Sequence, residues 1–141
     1  MDDVNTGNLW LVPLDLAVFG QVQHFVDEFL AENGVDEKAS YSARLVIEEI
    51  VRNLIQHTPP YATDETVEIA VSVTPDRVTV AISDVRPPFD PSAAPPLDVD
   101  APLAERREGG MGIHLVRNMV DELRYEREDD RNRLTAVIAR E

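Results

Sequence analysis

The stretch "TVEIAVSVTPDRVTVAISDV", residues 66–85, decides the fold. Two runs rich in valine, isoleucine and threonine alternate their side chains with a period of two, and Thr74, Pro75 and Asp76 between them are turn formers. This pattern predicts a β-hairpin and so a pair of antiparallel neighbours. Working backwards, "ARLVIEEIVRNLIQH" (43–57) repeats its apolar residues at helical spacing, with Asp36 placed to open the helix and Thr58-Pro59-Pro60 to stop it. Before it, Asp15 can cap another helix in which Val18, Val22, Phe25, Val26, Phe29 and Leu30 recur, ended by Gly34. The apolar run "NLWLVPL" (8–14) reads as a first strand.

Working forwards, residues 86–108 are polar and proline-rich. A structureless run of that length inside a small domain is usually a lid. "GGMGIHLVRNMV" (109–120) then opens a third helix, and "LRYERE" (123–128) with "RLTAVIAR" (133–140) form a second hairpin around "DDRN" (129–132). Two helices running straight into a hairpin exclude a doubly wound sheet, which needs a helix between successive strands. The expected fold is α+β: a two-layer sandwich with a mostly antiparallel sheet and helices on one face, a single domain over 1–141.

Composition limits the function. With 27 acidic and 13 basic residues the formal charge is −14, which opposes binding to nucleic acid or to an anionic membrane. Without cysteine there is no disulfide, thiolate metal site or thiol nucleophile, and His24, His57 and His114 lack paired metal spacing. The acidic start leads into no long apolar segment, so a cytoplasmic protein is expected.

Two stretches carry chemistry. Gly109, Gly110 and Gly112 each cost roughly 1 kcal/mol relative to alanine inside a helix. They form either a plain linker or a cradle in which side-chain-free backbone N–H groups at a helix start meet an anion. On the second helix, Glu49, Asn53 and His57 are spaced by four, beside the apolar face made by Ala43, Val46, Ile47, Ile50, Val51 and Leu54. The stripe starts at the edge of that face and drifts toward it, while Glu48 and Arg52 point to solvent. It is either an ordinary polar border or a site where the Asn53 oxygen binds a hydrated Mg²⁺ and Glu49 orients or deprotonates a hydroxyl.

In order along the chain, "EEIVRNLIQH", "ISDVRPPFD" and "GGMGIHLVRNMVDEL" resemble the N, G1 and G2 boxes of the Bergerat-fold (GHKL) ATP-binding family, most closely its small anti-sigma-factor serine/threonine kinases. The resemblance spans nearly the whole chain and implies ATP and Mg²⁺ as ligands. It makes Asn53 the metal-coordinating asparagine, Glu49 the general base, Asp84 the acceptor for the adenine amino group and Thr135 its water-mediated support. Gly110 and Gly112 become the phosphate-holding glycines, with Gly109 and Met111 in the same turn. His57 stands where related kinases carry histidine, and is otherwise an ordinary helix-end residue. Arg86 occupies the position at which the G1 pattern has glycine.

The implied activity is phosphorylation of a STAS-type anti-anti-sigma protein by a kinase that otherwise holds a sigma factor. The alternative is a nucleotide-dependent binding switch with little or no transfer. Related kinases often form homodimers, and no direct contact with nucleic acid or membrane is implied.

Overall fold

The computed structural model describes residues 6–13, 15–56, 66–85 and 116–140. The hairpin expected at 66–85 is present. Strand β2 (Thr66–Val73) pairs antiparallel with β3 (Arg77–Asp84). In the turn, the Thr74 hydroxyl donates to Asp76 Oδ1 at 2.8 Å and accepts from the Arg77 N–H at 3.2 Å. Around this hairpin the sheet is completed by β1 (Thr6–Pro13), β4 (Glu122–Glu128) and β5 (Arg131–Ala139) in the order β1-β2-β3-β5-β4, every neighbour antiparallel.

Two helices cover one face. Helix α1 (Leu16–Glu32) starts where Asp15 Oδ1 accepts from the Ala17 N–H at 2.8 Å, satisfying one of the donors that a helix start leaves unpaired. It stops at Asn33 and Gly34. The backbone turns left-handed at Gly34 (φ 67°), a conformation that glycine adopts without a Cβ penalty. Helix α2 (Glu37–Gln56) follows, with Asp36 Oδ2 accepting from the Ala39 N–H at 3.1 Å. Residues 116–119, within the expected third helix, are helical, and Val116 is buried.

Strand parity explains the core. Val67, Ile69, Val71 and Val73 of β2, Val78, Val80 and Ile82 of β3, and Leu134, Ala136 and Ile138 of β5 point to the helical layer and are buried. From the helices come Val26, Phe29 and Leu30 and the whole expected apolar face of α2, Ala43 through Leu54. Trp10 meets Phe29 edge-on, ring centroids 5.8 Å apart, and ties the edge strand β1 to α1.

Two expected positions of α1 lie outside the buried core, and Val18 is the first, only half-buried. Phe25 is 52% exposed, and Phe19 is buried in its stead. Residue 25 lies one helical step, about 100°, from Val26, and α1 rests on the sheet through Phe19, Val22, Val26, Phe29 and Leu30, which leaves the flank carrying Phe25 in solvent.

Arg140, just past β5, has a part that composition did not signal. Its guanidinium donates to the carbonyls of Gly34 (2.9 Å), Asn33 (3.3 Å) and Thr74 (2.6 Å). It thus joins the C-terminal end of α1, where a cation also opposes the helix dipole, to the β2–β3 turn. Among the described residues no helix is long and apolar enough to cross a membrane.

Candidate functional site

The site is built where α2 packs over β3 and β5. Glu49 and Asn53 are one helical turn apart, and residues spaced by four on a helix have their Cβ atoms roughly 5–6 Å apart. The drift expected of the stripe is observed: Glu49 is half-buried, and Asn53, a turn later, is 6% exposed. Glu48 and Arg52 lie on the solvent side, joined by a 2.8 Å ion pair.

Burial pushes the Glu49 carboxyl above the ordinary glutamate range, and it outweighs the opposing pull of Arg52; the neighbouring Glu48 adds to the rise. A carboxylate displaced this way is a stronger base when ionised, as proton abstraction from a hydroxyl requires.

No side chain or backbone group among the described residues bonds the Asn53 carboxamide, and its polar atoms are not fully shut away from solvent. Its oxygen and the nearby Glu49 carboxylate are hard donors of the sort that suit Mg²⁺. Among the described residues no cluster of three or more histidine, cysteine or acidic side chains could hold a metal by itself. A Mg²⁺ here fits only as an ion carried largely by substrate phosphates and water, with Asn53 as a protein ligand, the usual mode for this reluctantly dehydrated cation.

Asp84 ends β3 on the helical face and is 5% exposed. One of its partners is a residue that sequence reasoning missed. Asn132 lies directly opposite on β5, 4% exposed, and its Nδ2 donates to Asp84 Oδ1 at 3.0 Å. Asn132 Oδ1 in turn accepts from the Tyr125 hydroxyl at 2.5 Å and from Arg127 Nη1 at 3.1 Å, both on β4. The miss has a physical cause. "DDRN" reads as a four-residue turn, yet only Asp129 and Asp130 take positive φ (53° and 60°), making a two-residue hairpin turn that leaves Asn132 inside the strand. The signal available was the parity of β5: Asn132 shares its face with Leu134, Ala136 and Ile138.

The same parity separates Thr135 from Asp84. Thr135 pairs with Ala81 on one side and Arg124 on the other, so its side chain leaves the sheet on the face opposite Asp84, and it too is buried. The structure therefore brings together Asp84 and Asn132, and sets Glu49 and Asn53 on the helix above their sheet. The expected positions His57, Gly109, Gly110, Met111 and Gly112, together with Arg86 and the lid, lie outside the described residues.

A model of the histidine kinase-like ATPase domain matches residues 12–138, nine-tenths of the chain, from the end of β1 almost to the end of β5. The chain belongs to that family. Among curated proteins it resembles the serine-protein kinase RsbW of Bacillus licheniformis, 27% identical over 109 positions that take in 69% of this chain and 67% of the relative. Among solved structures it resembles the RsbU and RsbW domains of a Mycobacterium tuberculosis protein, with a TM-score of 0.66 at 16% identity. That match covers 96% of this chain but a third of the other, so it speaks for the fold alone. The α+β sandwich and the GHKL membership expected from the three boxes both hold.

Proposed function

We propose that this domain is an ATP- and Mg²⁺-dependent serine/threonine protein kinase of the anti-sigma type, which phosphorylates a STAS-type anti-anti-sigma partner and otherwise sequesters a sigma factor. The observation that carries the reading is the buried Asp84, held by Asn132 at 3.0 Å at the end of β3, beneath a helix bearing Glu49 and Asn53. The resemblance to RsbW supports the class of partner.

Each residue has a separate task. Asp84 accepts the adenine amino group and fixes the nucleotide by its base. Asn53 binds the cation, which when present offsets charge on the phosphates. Glu49 accepts the proton of the partner's serine or threonine hydroxyl as that oxygen bonds to the γ-phosphorus and the bond to the β–γ bridging oxygen breaks, releasing ADP; burial has already moved the basicity of Glu49 in the needed direction. The glycines at 109–112 hold the phosphates through backbone N–H groups, and residues 86–108 form the lid of a single domain. The protein works in the cytoplasm.

A nucleotide-dependent switch without transfer uses the same binding residues, and Arg86 in place of the G1 glycine favours it. Incubation with γ-labelled ATP, Mg²⁺ and the STAS partner separates the two. Label on a serine or threonine of the partner is expected. Mg-ATP binding with no transfer would replace the kinase with the switch.

A further inference from the structure

We infer that Asn132, clamped by Tyr125 and Arg127, is the positioning residue that sets Asp84 to read the 6-amino group of a purine. The inference rests on the nucleotide reading above and goes beyond it by naming how base selection is enforced.

Register builds the device. Arg127, Asn132 and Asp84 are successive partners across β4, β5 and β3, so one row on the helical face carries all three, with Tyr125 two residues along β4 on the same face. Asn132 and Asp84 are buried, where a hydrogen bond is stronger than in water, while Arg127 at the outer end of the row is exposed.

The chemistry of the row fixes its direction. An asparagine amide can be turned end for end, and its orientation follows from its partners. Among the described residues, a guanidinium, which only donates, and a phenol hydroxyl at 2.5 Å stand on its oxygen side. Reversing the amide would set its NH₂ against Arg127 and its oxygen against the carboxylate of Asp84, replacing attraction with repulsion at both ends. The NH₂ must therefore face Asp84. A carboxylate that receives this bond on one oxygen is held in plane as an acceptor, with about four lone-pair sites in all. Such a group accepts an exocyclic amino N–H and rejects an oxo group at the same place, because two acceptors would meet in a buried site.

An apolar residue at 132 would not fill this role, since it offers neither an acceptor to Arg127 nor a donor to Asp84. Thr135 cannot replace it from the other face of the sheet.

The test compares two ligands on the full chain by titration calorimetry with Mg²⁺ present: ATP, and purine riboside triphosphate, identical except for hydrogen in place of the 6-amino group. Wild type should prefer ATP by about 10- to 100-fold, the value of a hydrogen bond to a charged acceptor. Asn132→Leu should lose most of that preference by weakening ATP alone, with the analogue bound within about threefold of wild type. A merely structural role would weaken both ligands together, and that result, or an intact preference in Asn132→Leu, would overturn the inference. Tyr125→Phe removes one hydroxyl from the clamp and should lower the preference a few-fold in the same direction; it carries the test alone if Asn132→Leu does not fold, and an unchanged preference in it then overturns the inference. Equal affinity of wild type for both ligands would leave nucleotide binding standing and refute the reading of the amino group. Binding of neither would remove the nucleotide reading and this inference with it.

Discussion

Replacing Glu49 by glutamine should remove activity and add stability, two effects of opposite sign from one half-buried carboxyl. Glutamine keeps the shape of the side chain and discards the proton-accepting oxygen. A positioned general base contributes about 10²–10⁴ to rate, roughly 3–5 kcal/mol of barrier. Single-turnover transfer should fall by that factor while Mg-ATP binding stays near wild type.

For stability the sign follows from the raised carboxyl. Between the ordinary value of 4.5 and the higher folded one, the native protein holds a proton that the unfolded chain has lost. Stability therefore falls as pH rises through that window, and the full cost remains above it. Glutamine carries no such cost. The variant should match wild type below the window, gain on it as pH rises through it, and hold a constant lead at neutral pH. Thermal melts from pH 4 to 8 beside the transfer assay supply both readings. Transfer within threefold of wild type, or a variant less stable than wild type at neutral pH, would refute the reasoning.

Asn53→Leu should fold at least as well as wild type, because its carboxamide has no hydrogen-bond partner among the described residues, and should lose Mg²⁺-dependent nucleotide affinity by tenfold or more; calorimetry with and without Mg²⁺ checks both. Arg140→Ala removes three bonds to carbonyls and should cost about 1–3 kcal/mol in urea unfolding with nucleotide affinity unchanged. Phe25→Ser should change stability by no more than about 0.5 kcal/mol, whereas Leu30→Ala, in the core, should cost about 2–5 kcal/mol by the same measurement. Asp130→Gly, at φ 60°, should leave stability unchanged or raise it by about 1 kcal/mol, because glycine adopts that turn without strain.

What could be read from the sequence, and what could not, divides along physical lines. The apolar face of α2 and the half-burial of Glu49 beside the deeper burial of Asn53 follow from a 100° step per residue, a property local to one helix. The helix starts at Asp15 and Asp36 and the stop at Gly34 were legible for the same reason, since each depends on a few neighbouring backbone groups. Asn132 and Arg140 were not legible. Asp84 lies 48 residues from the first, and two of the carbonyls bonded by the second lie more than a hundred away, so strand register has to exist before those contacts do. Thr135 shows the sharpest dependence on register: a shift of an odd number of residues along β5 moves a side chain through the sheet, and residue 135 is three from the position that meets Asp84.

The central claim is that adenine nucleotide binds this domain through Asp84, and a thermal-shift titration with Mg-ATP on wild type and Asp84→Ala tests it most directly. At 100 times its dissociation constant the ligand should stabilise wild type by about 2.7 kcal/mol, roughly 8 °C for a chain of this size, and should leave the Asp84→Ala melting curve unmoved. A wild-type melting temperature that does not change at millimolar Mg-ATP, or an equal rise in Asp84→Ala, would contradict it.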